Sequence, residues 1–152
     1  MANNPAFAYN FQNSVLTING IRIGAFDEGD AVIKITPSAD LATVTTGSCG
    51  AKTFNVSADR GCIIEITLQK LSPSNNVLRQ IANAYQVPGI LVTALSCSLI
   101  DIVNRNRTVA TKGMITKLPA PEHGGKAGKQ TWVMEFAEHE ITEANATQLG
   151  SI

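Results

Sequence analysis

Apolar and polar residues alternate along most of the chain, and the alternation breaks to a helical period only once. Val15-Leu16-Thr17-Ile18 and Ile21-Arg22-Ile23 flank Asn19-Gly20, the dipeptide that best supports the two positive φ angles of a tight hairpin turn, so two short antiparallel strands are expected. Ala31 to Thr36 places Ile33 and Ile35 on one side and Lys34 and Thr36 on the other, as in a half-buried strand. Lys52 to Ser57 alternates with Phe54 and Val56 inward and Thr53, Asn55 and Ser57 outward, and Asp59-Arg60-Gly61 turns it into a further strand, Cys62 to Leu68. The helical stretch, residues 72–86, is opened by Ser72-Pro73-Ser74-Asn75-Asn76, with Ser72 as N-cap and Pro73 at the first helical position. Val77, Leu78, Ile81, Ala82 and Tyr85 form its apolar stripe, and Pro88-Gly89 ends it. Residues 90–102 read as the most buried strand, 108–118 as one or two strands broken near Gly113, and 131–141 as the last, with Trp132, Met134 and Phe136 sharing a face.

Two stretches resist this pattern. Residues 37–51 are small, polar and punctuated by glycine, which predicts a long loop, and loops longer than about a dozen residues usually serve a function or dock on something. Pro119 to Lys129, with Gly124, Gly125 and Gly128, is a second loop. The resulting architecture is mainly β with one α-helix: an antiparallel β-sandwich or open barrel covered by the helix on one side. It forms a single domain over residues 1–152, with an N-terminal arm (1–14), the long loop (37–51), the helix (72–86) and a polar C-terminal tail (142–152).

Eight aromatic residues are present, five Phe, two Tyr and one Trp, and Phe7, Tyr9 and Phe11 recur at a spacing of two, on one side of an extended arm. That arm packs either on its own core or on a neighbouring subunit. Twelve Lys plus Arg balance twelve Asp plus Glu, which argues against a field that gathers phosphate backbones or anionic lipid. The N-terminus has neither the basic region nor the apolar run of a signal peptide, and no segment approaches a membrane span, so synthesis in the cytoplasm without membrane insertion is expected. Of the three cysteines, Cys62 and Cys97 sit in apolar strands and read as buried thiols. Cys49 lies in Thr46-Gly47-Ser48-Cys49-Gly50, where exposure makes it a candidate for an inter-subunit disulfide in an oxidising location.

Catalytic and cofactor chemistry find no support. His123-Gly124-Gly125-Lys126-Ala127-Gly128-Lys129-Gln130 fails as a phosphate loop, because His123 stands at the leading glycine and Gln130 at the magnesium-ligating hydroxyl. His123 and His139 lack the paired spacing of a zinc site. Ser48 and Cys49 have no base or orienting acid near them in sequence. No catalytic, cofactor-binding or metal-binding residue is assigned, and the chain is expected not to be an enzyme.

Read in order, Tyr9-Asn10-Phe11, Thr17-Ile18-Asn19-Gly20, Gly24-Ala25-Phe26, Gly29-Asp30-Ala31-Val32-Ile33, the glycines at 47 and 50, Leu71-Ser72-Pro73-Ser74-Asn75-Asn76, Lys117-Leu118-Pro119 and Trp132-Val133-Met134-Glu135-Phe136 resemble the tail tube proteins of contractile-tailed bacteriophages. The resemblance implies a subunit assembled six to a ring, with sheets joined edge to edge around a continuous inner β-barrel and rings stacked into a conduit for genome delivery. It assigns ring stacking to Asp40, Leu41, Thr43, Thr45, Thr46, Gly47, Ser48, Cys49 and Gly50. It also implies a virion location and the sheath, baseplate, tape measure and tail terminator proteins as partners, with viral DNA passing through unbound. Because a conduit for DNA must not grip phosphates, Lys34, Thr36, Thr53, Asn55 and Ser57 are expected to face the lumen, and Phe7, Tyr9 and Phe11 to contact a neighbour. Two other readings remain at this stage: a monomeric β-sandwich that binds a ligand, and the tube of a related contractile injection device.

Overall fold

The computed structural model describes residues 6, 8–27, 29, 31–89 and 91–144. A turn of 3-10 helix, Phe11–Asn13, leads into strand β1 (Ser14–Ile18), followed by β2 (Ile21–Ile23), β3 (Ile33–Pro37), β4 (Ala42–Thr46), β5 (Lys52–Val56) and β6 (Cys62–Gln69). Helix α1 (Ser74–Ala84) then precedes β7 (Leu95–Asp101), β8 (Arg107–Lys117) and β9 (Lys129–Thr142). Seven strands form one antiparallel sheet in the order β2-β1-β7-β8-β9-β6-β3, and β4 and β5 pair only with each other.

The sheet has to curl. β2 is one border, yet three residues later Phe26 bridges Leu68 of β6, next to the opposite border. Ala25 O accepts from Gln69 N at 3.0 Å and Asp27 N donates to Thr67 O at 3.1 Å. The two borders therefore approach one another at this corner, and the result is the open-barrel form of the expected architecture. Asn19 (φ 52) and Gly20 (φ 80) make the predicted left-handed turn between β1 and β2.

Inside the curl lie Leu16, Ile18, Ile23, Ile64, Ile66, Leu68, Leu95, Cys97, Trp132, Met134 and Phe136, every one buried, and α1 closes this core with Leu78 and Ala82. The apolar stripe expected on the helix is thus the packed one, with Ile81 and Tyr85 at its margin. Asn75 fastens the start of the helix to the sheet. Its Nδ2 donates to the carbonyls of Gln69 (2.8 Å) and Lys70 (3.2 Å), and its Oδ1 accepts from Trp132 Nε1 at 2.9 Å. Ser72 stands one residue before Pro73, which flanks the first helical residue, and still serves as a cap: its hydroxyl accepts from Ser74 N at 3.3 Å and donates to Gly24 O at 2.8 Å.

Several strand expectations change. β6, not the 90–102 segment, is the most buried strand: every second residue of it from Cys62 to Leu68 is in the core, whereas β7 begins only at Leu95 and leaves Ile100 exposed. β8 is one strand, but its ladder to β7 slips beside Gly113, between Leu95↔Gly113 and Cys97↔Ala110, where Lys112 takes a φ of 59°; a Cβ at Gly113 would lie 2.3 Å from the Phe136 ring, and the bare backbone admits that ring. Phe11 joins no extended arm. Asn10 caps the 3-10 turn, and the Phe11 ring packs edge-on against Phe26 of its own chain at 5.5 Å. Tyr9 is exposed, and Phe7 lies outside the described residues, as does the expected tail beyond Ala144.

Candidate functional site: a two-faced hairpin

The largest departure from expectation lies in residues 37–51, which form half of a β-hairpin rather than a loop. Thr43, Val44 and Thr45 are β-branched and suit a strand, and β4 pairs with β5 in the register Ala42↔Val56, Thr43↔Asn55, Val44↔Phe54, Thr45↔Thr53 and Thr46↔Lys52. Gly47 N donates to Ala51 O (2.8 Å) and Gly50 N to Gly47 O (2.9 Å), and Gly50 takes a φ of 81° to close the turn. At the base Ser57 N donates to Leu41 O at 2.9 Å.

Residues paired across an antiparallel ladder share a face, so the register sorts the side chains. One face carries Ala42, Val44, Phe54 and Val56; the other carries Thr43, Thr45, Thr53 and Asn55, with Asn55 Nδ2 donating to Thr45 Oγ1 at 3.2 Å. Phe54 and Val56 were expected to point inward, yet every residue of both strands is exposed, Phe54 by 67% and Val56 by 72%. Alternation correctly groups them; among the described residues none covers them.

Of the stacking residues expected, Leu41 is exposed at the hairpin base, Thr43 and Thr45 lie on the polar face, Thr46 ends β4, and Gly47, Ser48, Cys49 and Gly50 form the turn. Cys49 is an exposed free thiol. Of the lumen set, Lys34 and Thr36 sit on the outer face of β3, beside Glu65 and Ile63 of β6, in a different sheet from Thr53 and Asn55. Ser57 lies just past β5, where its Oγ accepts from Asp59 N at 3.2 Å.

The root is built more firmly than the hairpin itself. Asp59 Oδ1 accepts from Gly61 N (2.8 Å), Ser38 N donates to Gly61 O (3.0 Å), and the Arg60 carbonyl accepts both from His139 N (2.9 Å) and from His139 Nδ1 (2.7 Å), which fixes the proton on that ring nitrogen. A depression of about 500 Å³ between Pro37, Asp40, Leu41, Arg60 and His139 separates the hairpin from the sheet. Beside this end, Asp101 organises the β7–β8 turn. Its carboxylate accepts from Asn104 N, Val103 N and Asn104 Nδ2, each at 3.1 Å. The Asn104 backbone N–H is the largest cause holding this carboxyl below its usual range; burial opposes it, and the Asn104 side chain and Val103 N–H add to it. Burial pushes the Cys62 thiol up to about 11 and that of Cys97 up to about 12. Both are therefore protonated and inert at neutral pH.

No cluster of three or more His, Cys, Asp or Glu able to hold a metal occurs among the described residues, and none of their helices is long and apolar enough to cross a membrane. No family model matches the sequence, and no curated protein matches it. Solved structures do. A chain from the sheath/tube terminator of an extracellular contractile injection system (PVC, extended state) superposes with a TM-score of 0.61 at 10% identity, covering 90% of this chain and 97% of that one. The tube-terminating cap of the anti-feeding prophage gives 0.58 at 13% identity, covering 95% of each chain. A chain from the PVC sheath-tube complex gives 0.57 at 11%, covering 86% and 88%.

The chain thus shares its fold with chains from terminator, cap and sheath-tube assemblies of contractile injection systems. The two-faced hairpin is the feature that sequence reasoning missed, and the strict alternation of Ala42 and Val44 with Thr43 and Thr45, mirrored across the turn by Phe54 and Val56, is the signal that could have found it.

Proposed function

We propose that this chain is a self-assembling structural subunit of the tube of a contractile tail, in which copies close into rings and rings stack into a conduit. The observation that carries the reading is the unpartnered apolar face of the hairpin. An isolated two-stranded hairpin is marginal in water, and this one holds Val44, Phe54 and Val56 between 53% and 72% exposed. Covering those three side chains supplies about 3–6 kcal/mol per copy before the costs of association, too little to hold one pair and enough when a whole ring engages at once.

The polar face then lines the channel. Thr53 and Asn55 contribute uncharged groups, and Lys34 stands beside Glu65 on the sheet, so the wall offers no net positive charge to slow a passing polyanion. By the resemblance noted above, the ring has six members, the tube lies inside a sheath between baseplate and terminator, and the cargo is a phage genome in the tail of a virion. The structural neighbours, which come from extracellular injection particles and include two terminating proteins, favour placing the related injection devices alongside that reading.

Negative-stain microscopy of the purified chain tests the proposal. Rings with a central hole, singly or in stacks, are expected as concentration rises. A chain that stays monomeric at millimolar concentration, in the presence or absence of crowding agents, refutes it.

A further inference from the structure

We infer that Asn19 is a self-modifying site, an asparagine that loses its side-chain amide to its own backbone when the β1–β2 hairpin opens and keeps it while the hairpin is closed. Asn19-Gly20 is the one Asn-Gly pair in the sequence; every other asparagine is followed by a residue that carries a Cβ. That difference governs reactivity. The Gly20 nitrogen, with no side chain beside it, can approach the Asn19 side-chain carbonyl carbon without obstruction. Both residues are exposed at the turn, so water, the one co-reactant required, has access.

The chemistry closes without an oxidant or reductant. Gly20 N bonds to Asn19 Cγ, the Cγ–Nδ2 bond breaks, and the amide nitrogen leaves as ammonia with the proton that Gly20 N gives up. Water then opens the cyclic imide at either carbonyl. Cleavage between Cγ and the nitrogen yields aspartate in an unaltered backbone. Cleavage at the main-chain carbonyl yields a β-aspartyl linkage, in which the chain runs through the side chain and is one carbon longer.

The closed hairpin blocks the first step. Ring closure needs Asn19 Cγ to swing onto the Gly20 nitrogen, whereas Asn19 Oδ1 accepts from Ser96 N at 2.9 Å and Asn19 N donates to Ser96 O at 2.9 Å, a two-point clamp onto β7. Release follows from fraying of β2, and β2 is built to fray early. It has three residues and pairs with β1 alone as a border of the sheet, with Ile21 and Arg22 exposed and Ile23 its one core residue. Segments with so few buried contacts open at the low end of the range of local unfolding free energies. The two products then diverge. Aspartate keeps an oxygen that accepts from Ser96 N. The β-aspartyl linkage instead lengthens a two-residue loop, and loop length sets the register Ile18↔Ile21, Thr17↔Arg22 and Leu16↔Ile23, so β2 is unseated and β1 becomes the border. One lost amide is thereby converted into an irreversible loss of the border strand.

The test incubates the full-length chain in mildly alkaline buffer, folded or unfolded in guanidinium chloride, and follows the amide-to-acid mass gain of its tryptic peptides, located by fragmentation. In the unfolded chain Asn19 is expected to convert before any other asparagine, and folding is expected to slow it at least about tenfold. Ile21→Gly, a change at an exposed side chain of β2 that leaves the core untouched, should narrow that gap between folded and unfolded rates at least about threefold, because glycine weakens the strand. In hydrogen exchange, the β-aspartyl fraction should lose protection at the β2 amides, whereas Asn19→Asp retains it. Another asparagine converting first in the unfolded chain overturns the site. Equal folded and unfolded rates, or an unchanged gap in Ile21→Gly, overturn the guard by the closed hairpin, and a β-aspartyl chain with β2 still protected overturns the loss of the border.

Discussion

Among the described glycines Gly113 leaves the least room for a Cβ, because the Phe136 ring lies against it, and Gly113→Ala measures that contact. The two residues are directly paired across β8 and β9, and a Cβ at position 113 would lie 2.3 Å from Phe136 Cδ1, 2.5 Å from Cε1 and 2.8 Å from Cγ. No positive φ is involved at Gly113, so the penalty is steric. If the backbone gives way, the cost is that of overpacking, about 1–3 kcal/mol. If the ring is expelled instead, the loss approaches that of a buried Phe→Ala change, about 3–5 kcal/mol. The expected destabilisation is therefore about 1–5 kcal/mol, according to which of the two gives way. Urea unfolding below the assembly concentration reads it out, with Trp132, fully buried and hydrogen-bonded to Asn75, as the fluorescent reporter. An unchanged m-value should accompany the lowered midpoint. Phe136→Leu placed on top of Gly113→Ala should cost less than Phe136→Leu in the parent, giving a coupling of about 0.5–3 kcal/mol. Gly113→Ala unfolding within about 0.5 kcal/mol of the parent, the range of an innocuous surface change, would show that the ring does not rest on bare backbone.

Thiol reagent at neutral pH should label one cysteine per folded chain, Cys49, and all three after denaturation, since Cys62 and Cys97 are buried and protonated; labelling of more than one in the native state contradicts the burial. Their raised folded-state values also set a sign: the contribution is fully present below the ordinary thiol range and is lost as pH rises from about 9 towards 11–12, so stability should fall across that window and the loss should shrink in Cys97→Ala. Asp101 has the opposite sign. Its lowered value means a contribution present above the ordinary carboxylate pKa of about 3.9 and lost as pH drops through the folded value. Asp101→Asn should flatten that part of the acid unfolding curve, as followed by circular dichroism, and an unchanged acid limb contradicts the role given to the Asn104 and Val103 N–H groups.

Much of the sheet was legible because its signals are local. Asn19-Gly20 fixes a hairpin through its backbone angles, and Trp132, Met134 and Phe136 reveal the inner face of β9 by spacing alone. The helix was readable from its stripe, although its first residue shifted to Ser74, Ser72 accepting from the Ser74 N–H while also donating to Gly24 O. What stayed hidden depended on the rest of the fold. The irregularity beside Gly113 is legible, since the β7 ladder does slip there, but the reason for its missing side chain, the Phe136 ring, sits 23 residues away in sequence. Phe54 and Val56 looked like core because a period of two says which side chains share a face and nothing about what covers it. Residues 42–46 were taken for loop because threonine-rich alternation carries little hydrophobic contrast, even though its β-branched side chains favour a strand.

The borders and the hairpin solve different problems. β2 has three residues, and β3 carries Lys34 in its middle and ends at Pro37, which has no N–H to donate; short, charged and proline-ended borders are the usual guards against indiscriminate strand pairing. The hairpin, by contrast, leaves Val44, Phe54 and Val56 exposed together on one face of β4 and β5. Lateral joining through so short a border supplies few hydrogen bonds, each worth about 0.5–1.5 kcal/mol net. Stacking supplies the larger apolar term. Ring closure and stacking should therefore reinforce each other, since a subunit already held by its hairpin pays less orientational entropy to pair its border with the next. On the proposed tube reading, such an arrangement confines growth to places where many weak contacts form together.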